Sequence, residues 1–207
     1  MFPSLEATQR VQRLSESFGN KILYDMCSTY PEHIDSEVVS GKLWLIGRAY
    51  SASLERKKPP GKSTGDLYRQ VTKAIVESDI DKQITALKEK RIQHLMSTDD
   101  ETISQILHLH NSFIRIVIRH VEIGKRSLAS KYLHFHIPEL IYIYDSIAAG
   151  KLQAIYPRLR IKHKFSSQFD YTYTKFFFKM LKLRDELISQ HELLLTPRQI
   201  DRLLLQY

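Results

Sequence analysis

The residue best placed to do chemistry is a single acid, Asp145. It ends the apolar run from Leu140 to Tyr144 and stands just before a stretch that should start a helix at Ser146. Upstream lies a tight basic turn, Gly124, Lys125 and Arg126, followed by a short apolar helix carrying Ser127, Ala129, Leu133 and Phe135. A carboxylate held after an apolar segment, with cations before it, suits chemistry on an anionic polymer. Asp is also a preferred helix cap, worth about 1 kcal/mol. The pattern alone leaves both roles open.

Other chemistries find less support. His108/His110 and His134/His136 are pairs two residues apart, which point different ways on a helix and cannot chelate a metal by themselves. No cysteine pair supports a zinc site, so neither metal nor cofactor is expected. There is no nucleophile elbow and no close pair of acids in an apolar setting. PPGKSTGD at 59–66 has Arg56 where a phosphate loop needs its first glycine, and it reads as a linker.

The elements that must position Asp145 read as helices. Ser4 caps a first helix whose apolar positions run to Leu23 and which Pro31 stops. Asp35 opens a second, closing on the Glu55–Lys58 run, where cations suit the helix dipole. Within it, Gly47 and Ala49 are small enough to let another backbone approach. Helices follow over about 66–77 and 80–96. Thr98 with Glu101 reads as a capping box for a buried spine carrying Ile103, Ile106, Leu107, His110, Phe113, Ile114 and Val117. Pro138 breaks the hairpin helix, since its ring nitrogen cannot donate and the residue before it avoids helical backbone. Spacing predicts further helices over 146–155, about 171–191, and from Pro197 onward. No segment alternates over strand length except the few residues before Asp145. The expectation is a compact all-α chain of about nine helices. It should form a single domain over 1–207, with lobes at about 1–97 and 98–207 able to flank a DNA cleft.

Composition bounds the class. Hydrophobic residues at 43% and charged residues at 26% are those of a globular protein. A lone cysteine, Cys27, and no leader-like or spanning apolar stretch make a reducing, cytoplasmic setting the expectation. Between Lys151 and Arg184 lie nine cations, including Arg158, Arg160, Lys162 and Lys164, against one acid, Asp170; this segment carries the whole formal excess of +8. Aromatic residues interleave there, which suggests a surface for phosphates with some stacking capacity. A solvated basic face over an aromatic core is the plainer reading.

The stretch 123–149 resembles the central motif of the helix-hairpin-helix superfamily of base-excision DNA glycosylases. Gly124, Lys125 and Arg126 fall on the hairpin beside the DNA backbone. Ser127 and Ala129 fall on the second hairpin helix, Ile141 to Tyr144 on the segment before the acid, and Asp145 on the catalytic acid. One glycine stands where the family usually has two, and Tyr142 where it often has proline. GRAYSASLERK at 47–57, taken with this motif, is also similar to bacterial glycosylases that attack modified bases in phage DNA. The resemblance implies a hydrolase that binds double-stranded DNA as a monomer, flips a damaged or modified base and leaves an abasic site. Asp145 would then stabilise the cationic sugar or orient water. Gly124, Lys125, Arg126, Ser127, Lys131, Arg158, Arg160, Lys162 and Lys164 would meet the backbone, and Trp44, Arg48, Tyr50, Tyr142 and Tyr144 would line the base pocket. Some family members form a Schiff base with a lysine near the start of the second hairpin helix, a region that Ser127 or its neighbours occupy here, which implies a monofunctional enzyme unless Lys125 or Lys131 serves. The competing class is a non-catalytic basic all-α module for nucleic acid; a third is an assembly protein meeting an acidic partner.

Overall fold

The structure, a computed structural model, describes residues 2–56, 58, 60–90, 99–121 and 125–206, with only the backbone of Ser166. Among the described residues there are eleven helices and no strand. They are α1 (Leu5–Arg13), α2 (Phe18–Thr29), α3 (Ser36–Ala49), α4 (Thr64–Val76), α5 (Ile80–Lys90), α6 (Asp100–Ile118), α7 (Arg126–His136), α8 (Ser146–Ile155), α9 (His163–Ser166), α10 (Tyr171–His191) and α11 (Pro197–Gln206).

The all-α architecture is as expected, but nine helices was too few. The first expected helix is two, because Leu14 is extended and Ser17 restarts the chain by accepting from the Asn20 N–H. α3 stops at Ala49, ahead of the cation run, where Ser51 turns the chain with a φ of 51°. Asp99, and not Thr98, caps α6 by accepting from the Thr102 N–H at 2.7 Å. Thr98 itself lies outside the described residues.

Gly47 is used as its size suggests. The Ala52 N–H donates to the Gly47 carbonyl at 2.7 Å, folding the 50–56 loop back onto α3. A Cβ at position 47 would sit 3.0 Å from the Ser53 Cα, which is backbone and cannot swing aside. Gly47→Ala should therefore cost about 1–3 kcal/mol, the usual penalty for overpacking. The drop is readable as a lower urea midpoint, and an unchanged midpoint would mean that the loop has slack.

One hydrophobic cluster runs through the molecule from Val11 to Leu204. α6 is its spine, burying Ile103, Ile106, Leu109, Phe113 and Val117, and it packs on α4, α5 and α7. α7 is buried from Leu128 to His136. α11 lies against both α1 and α8, and Arg202 donates to the carbonyls of Leu14 and Ser15, 188 and 187 residues away. Among the described residues, no helix is long and apolar enough to cross a membrane.

Candidate carboxylate site and nucleic-acid interface

Between α7 and α8 the chain turns at 137–140, where the Leu140 and Ile141 N–H groups donate to the Ile137 carbonyl, and residues 141–145 lie in no helix or strand, so their polar backbone needs partners from elsewhere. Ser130 Oγ accepts from the Tyr144 N–H at 2.9 Å, and Ser127 Oγ donates to the Tyr144 carbonyl at 3.3 Å. The Tyr173 hydroxyl donates to the Tyr142 carbonyl at 3.0 Å. His134 Nδ1 lies 2.7 Å from the Ile141 carbonyl. A carbonyl only accepts, so Nδ1 carries the proton, and Nε2 accepts from the Tyr24 hydroxyl at 2.7 Å. These bonds deliver Asp145 to the start of α8, where Oδ1 accepts from the Ile147 N–H at 2.8 Å. The residue is partly exposed. Asp145 is a helix cap, and it is also a carboxylate at the positive end of a helix dipole.

Lys131 points toward the same place. It is 4% exposed, and its Nζ donates to Ser127 Oγ at 2.8 Å and to the Tyr50 carbonyl at 3.2 Å. Burial pushes its pKa down, and the charges of Asp145 and Asp201 push it back up. Asp201, on α11, is 1% exposed and ion-paired to Arg198, yet its Oδ1 accepts no hydrogen bond. Burial pushes its carboxyl up to about 6; Arg198 opposes this and the neighbouring Asp145 adds to it. The Tyr50 ring carries a cation from each side element, Lys131 at 5.7 Å and Arg198 at 5.6 Å from its centre. Ser127, Lys131, Tyr50, Asp145 and Asp201 thus form one constellation built by α3, α7, α8 and α11. Asp201 went unnoticed in the sequence. The available signal was an acid on the apolar stripe Pro197, Ile200, Asp201, Leu204.

The basic residues divide. Gly124 lies outside the described residues. Lys125 Nζ donates to the carbonyls of Ser53 and Arg56, tying α7 to the loop after α3. Arg126 makes a two-pronged clasp with Asp170, both bonds 2.6 Å, while its guanidinium lies 5.5 Å from the Tyr144 ring centre. Lys162 and Lys164 both pair with Asp100. Arg158 and Arg160 are exposed on the loop after α8. Lys179 and Arg184 are buried. The aromatic half of this segment is mostly core: Tyr156, Phe165, Tyr173, Phe176 and Phe177 are all buried. The expected stacking surface is therefore reduced to partly exposed rings such as Tyr171.

The expected pocket residues also separate. Tyr142 is a core residue, 3% exposed and packed edge-on against Phe177; it is corrected out of the gripping set. Tyr144 and Tyr50 are half-buried at the constellation. Trp44 is exposed, with Arg48 stacked on it at 5.3 Å, and Arg48 is ion-paired to Glu55. A cavity of about 260 Å³ lies between α8 and α10, lined by Ala149, Gln153, Tyr171, Lys175, Phe176 and Lys179. Ala149 is one turn from the acid, donating to the Asp145 carbonyl at 2.9 Å.

Asp170 has two duties, since Oδ1 also accepts from the Tyr173 N–H at 2.7 Å as the cap of α10. Burial alone would raise its pKa, but the Arg126 clasp and the cap bond hold the carboxyl below its usual range. Asp170→Ala should cost about 2–3 kcal/mol, from a lost cap and lost charged hydrogen bonds, discounted for partial exposure. A urea midpoint equal to that of the unaltered protein would show that the clasp holds nothing.

Among the described residues, no group of three or more His, Cys, Asp or Glu side chains could hold a metal ion. In comparisons with known proteins, no family model, no curated protein and no solved structure matches this chain.

Proposed function

We propose that this chain is a monofunctional DNA glycosylase that hydrolyses the N-glycosidic bond of a flipped, damaged or modified base, with Asp145 as the catalytic carboxylate. The observation that carries the reading is how Asp145 is held. Ser127 and Ser130, on the first turns of α7, both bond Tyr144, whose ring lies beside Arg126, and so fix the acid that follows it. In the reaction the bond from the sugar C1′ to the base nitrogen breaks, and its electron pair leaves with the base. Positive charge gathers on the sugar, and an anionic oxygen nearby lowers the energy of that state. Water then bonds C1′, gives its proton to the carboxylate, and the proton passes to the departing base. Lys131 is buried and holds the Tyr50 carbonyl and Ser127 hydroxyl, a structural cation; water is the nucleophile in this reading. Modified phage DNA is the substrate that the 47–57 resemblance favours, and antiviral defence the corresponding role.

The test is incubation with genomic DNAs of differing modification status, then alkali. At least one DNA should show new alkali-labile sites, and borohydride should trap no covalent adduct. DNA that is bound but never cleaved by alkali would favour the second reading, a non-catalytic basic module. The cap bond of Asp145 and the Arg126–Asp170 clasp favour that reading. Its binding should weaken steeply with salt through counterion release.

A further inference from the structure

The cleft between α8 and α10 holds a charge imbalance that the chemistry at Asp145 does not use. α8 contains no acid, and α10 contains none between Asp170 and Asp185, a stretch that carries Lys175, Lys179, Lys182 and Arg184. Lys175 and Lys179 stand one helical turn apart, and both line the cleft, whose volume is about 260 Å³. Among the described residues, no carboxylate lines it.

Lys179 is only 3% exposed, and its Nζ donates across the cleft to Gln153 Oε1 on α8. The Gln153 NH₂ donates to the Pro157 carbonyl at 3.2 Å. That amide cannot flip without setting its NH₂ against the ammonium, so its oxygen is committed to Lys179. The partner is neutral, whereas a charge withdrawn from water is ordinarily paired with its opposite. Burial, together with the like charge of Lys175, pushes the Lys179 pKa down. Lys175 itself is partly exposed, and among the described residues it has neither a hydrogen bond nor an ion pair. It is the ammonium open to a ligand, with Lys179 adding charge from the wall behind it.

The geometry points to a binding site for a phosphate monoester. Two cations without an acid call for an anion, and a monoester carries about −1.5 to −2 charges at pH 7, where a carboxylate or a phosphodiester brings one. Thr172, exposed and also lining the cleft, has a hydroxyl to donate to a further phosphate oxygen. The remaining walls are largely apolar. Phe176 is buried, and the Tyr171 ring, 54% exposed, offers a face to whatever the phosphate is attached to. A neutral ligand would leave the positive charge unanswered, and a cation would add to it. The monoester arrives on a small phosphorylated compound such as a nucleotide, or at the 5′-phosphorylated end of a strand. No residue of this cleft enters the reaction assigned to Asp145, so the assignment stands apart from that reading.

The experiment is a thermal-shift titration of the full chain, at matched ionic strength, with two pairs of probes. One pair is adenosine 5′-monophosphate and adenosine; the other is a short single-stranded oligonucleotide with and without a 5′-phosphate. At least one phosphorylated probe should raise the melting temperature saturably, as a ligand that binds only the folded state must. Its unphosphorylated counterpart should bind at least about tenfold more weakly, the worth of one charged hydrogen bond. A response to the mononucleotide assigns the site to a small phosphorylated compound, and a response confined to the phosphorylated strand assigns it to a strand end. Lys175→Gln removes an unpaired, partly exposed charge, so the variant should fold normally and weaken the phosphorylated probe at least about tenfold. Lys82→Gln, the same change of charge at an exposed position on α5, should leave that affinity unaltered. No shift with either phosphorylated probe, equal binding within both pairs, or an affinity that survives Lys175→Gln or falls equally in both variants overturns the assignment; the two lysines are then a solvated face only.

Discussion

Stability should fall steeply as pH drops from about 6.5 toward 4, and the cause is histidine burial. His110 is stacked on Tyr173 at 3.5 Å, and burial pulls its pKa down to about 3. Burial pulls His134 down to about 4. His136 is held well below the usual value by burial, and His33 is lowered by burial although its bond to Asp81 resists. A histidine with a depressed folded pKa gives the unfolded chain the greater proton affinity. The fold is thus unpenalised above the unfolded value near 6.5 and loses stability as pH falls toward the folded value. Each such histidine costs about 1.4 kcal/mol per pH unit, so His110 and His134 together cost about 2.7. Asp201 works in the opposite sense. Its raised carboxyl stabilises the fold at low pH and loses that contribution as pH rises through about 6, so acidification returns about 3 kcal/mol between 6 and 4. The histidines outweigh it, and total stability of about 5–15 kcal/mol would be largely consumed by pH 4. Urea midpoints at pH 7, 6, 5 and 4.5 measure the slope. His110→Gln can keep a donor for the Arg126 carbonyl, which His110 Nε2 faces at 3.3 Å, and should flatten the slope by about 1.4 kcal/mol per unit. A midpoint constant from pH 7 to 4.5 would contradict the burial of these rings.

Asp145→Asn should lower abasic-site formation by about 10²–10⁴-fold while leaving the fold and DNA affinity nearly untouched. The choice of asparagine matters. Asn and Asp are equivalent helix caps, so the bond to the Ile147 N–H can be kept and stability should move by only a few tenths of a kcal/mol. What disappears is the negative charge that would face the cationic sugar. If Asp145 were a cap alone, the variant would match the unaltered protein in every assay. Asp145→Ala completes the comparison by losing the cap as well, at about 1 kcal/mol. Loss of activity in Ala but not Asn would assign the residue to structure. Loss in both, with only Ala destabilised, assigns it to chemistry.

Much of the scaffold could be read from local pattern, because caps and breakers act within a few residues. α8 and α10 begin and end where spacing places them, and Asp35 caps α3 as its position suggests. The misses at Ser17 and Asp99 are also local, a cap serine inside apparent helical spacing and two cap candidates side by side, whereas at Ala49 the helical spacing runs on to Leu54 but the chain turns at Ser51. The candidate site was legible only in part. That Asp145 follows an apolar run after Pro138 and caps the helix at Ser146 is written in the chain, although the run begins in a turn at Leu140. That Arg126 is clasped by Asp170, 44 residues on, and that Lys131 lies under the charge of Asp201 are not, because an ion pair between distant elements leaves no periodic trace. The basic stretch misled for a related reason. Composition counts charges, and cannot say that Lys179 is buried against Gln153 or that two lysines share Asp100.

The contact of α11 with α1 and α8 orders events during synthesis. Residues 5–13 leave the ribosome early, but the helix they pack against is encoded 188 residues later for the Arg202–Leu14 bond. Until α11 is made, α1 lacks the helix it packs against, so its place in the core is settled late. Asp201, the neighbour of Asp145, arrives in the same late step, so a shortened translation product would lack that part of the candidate site.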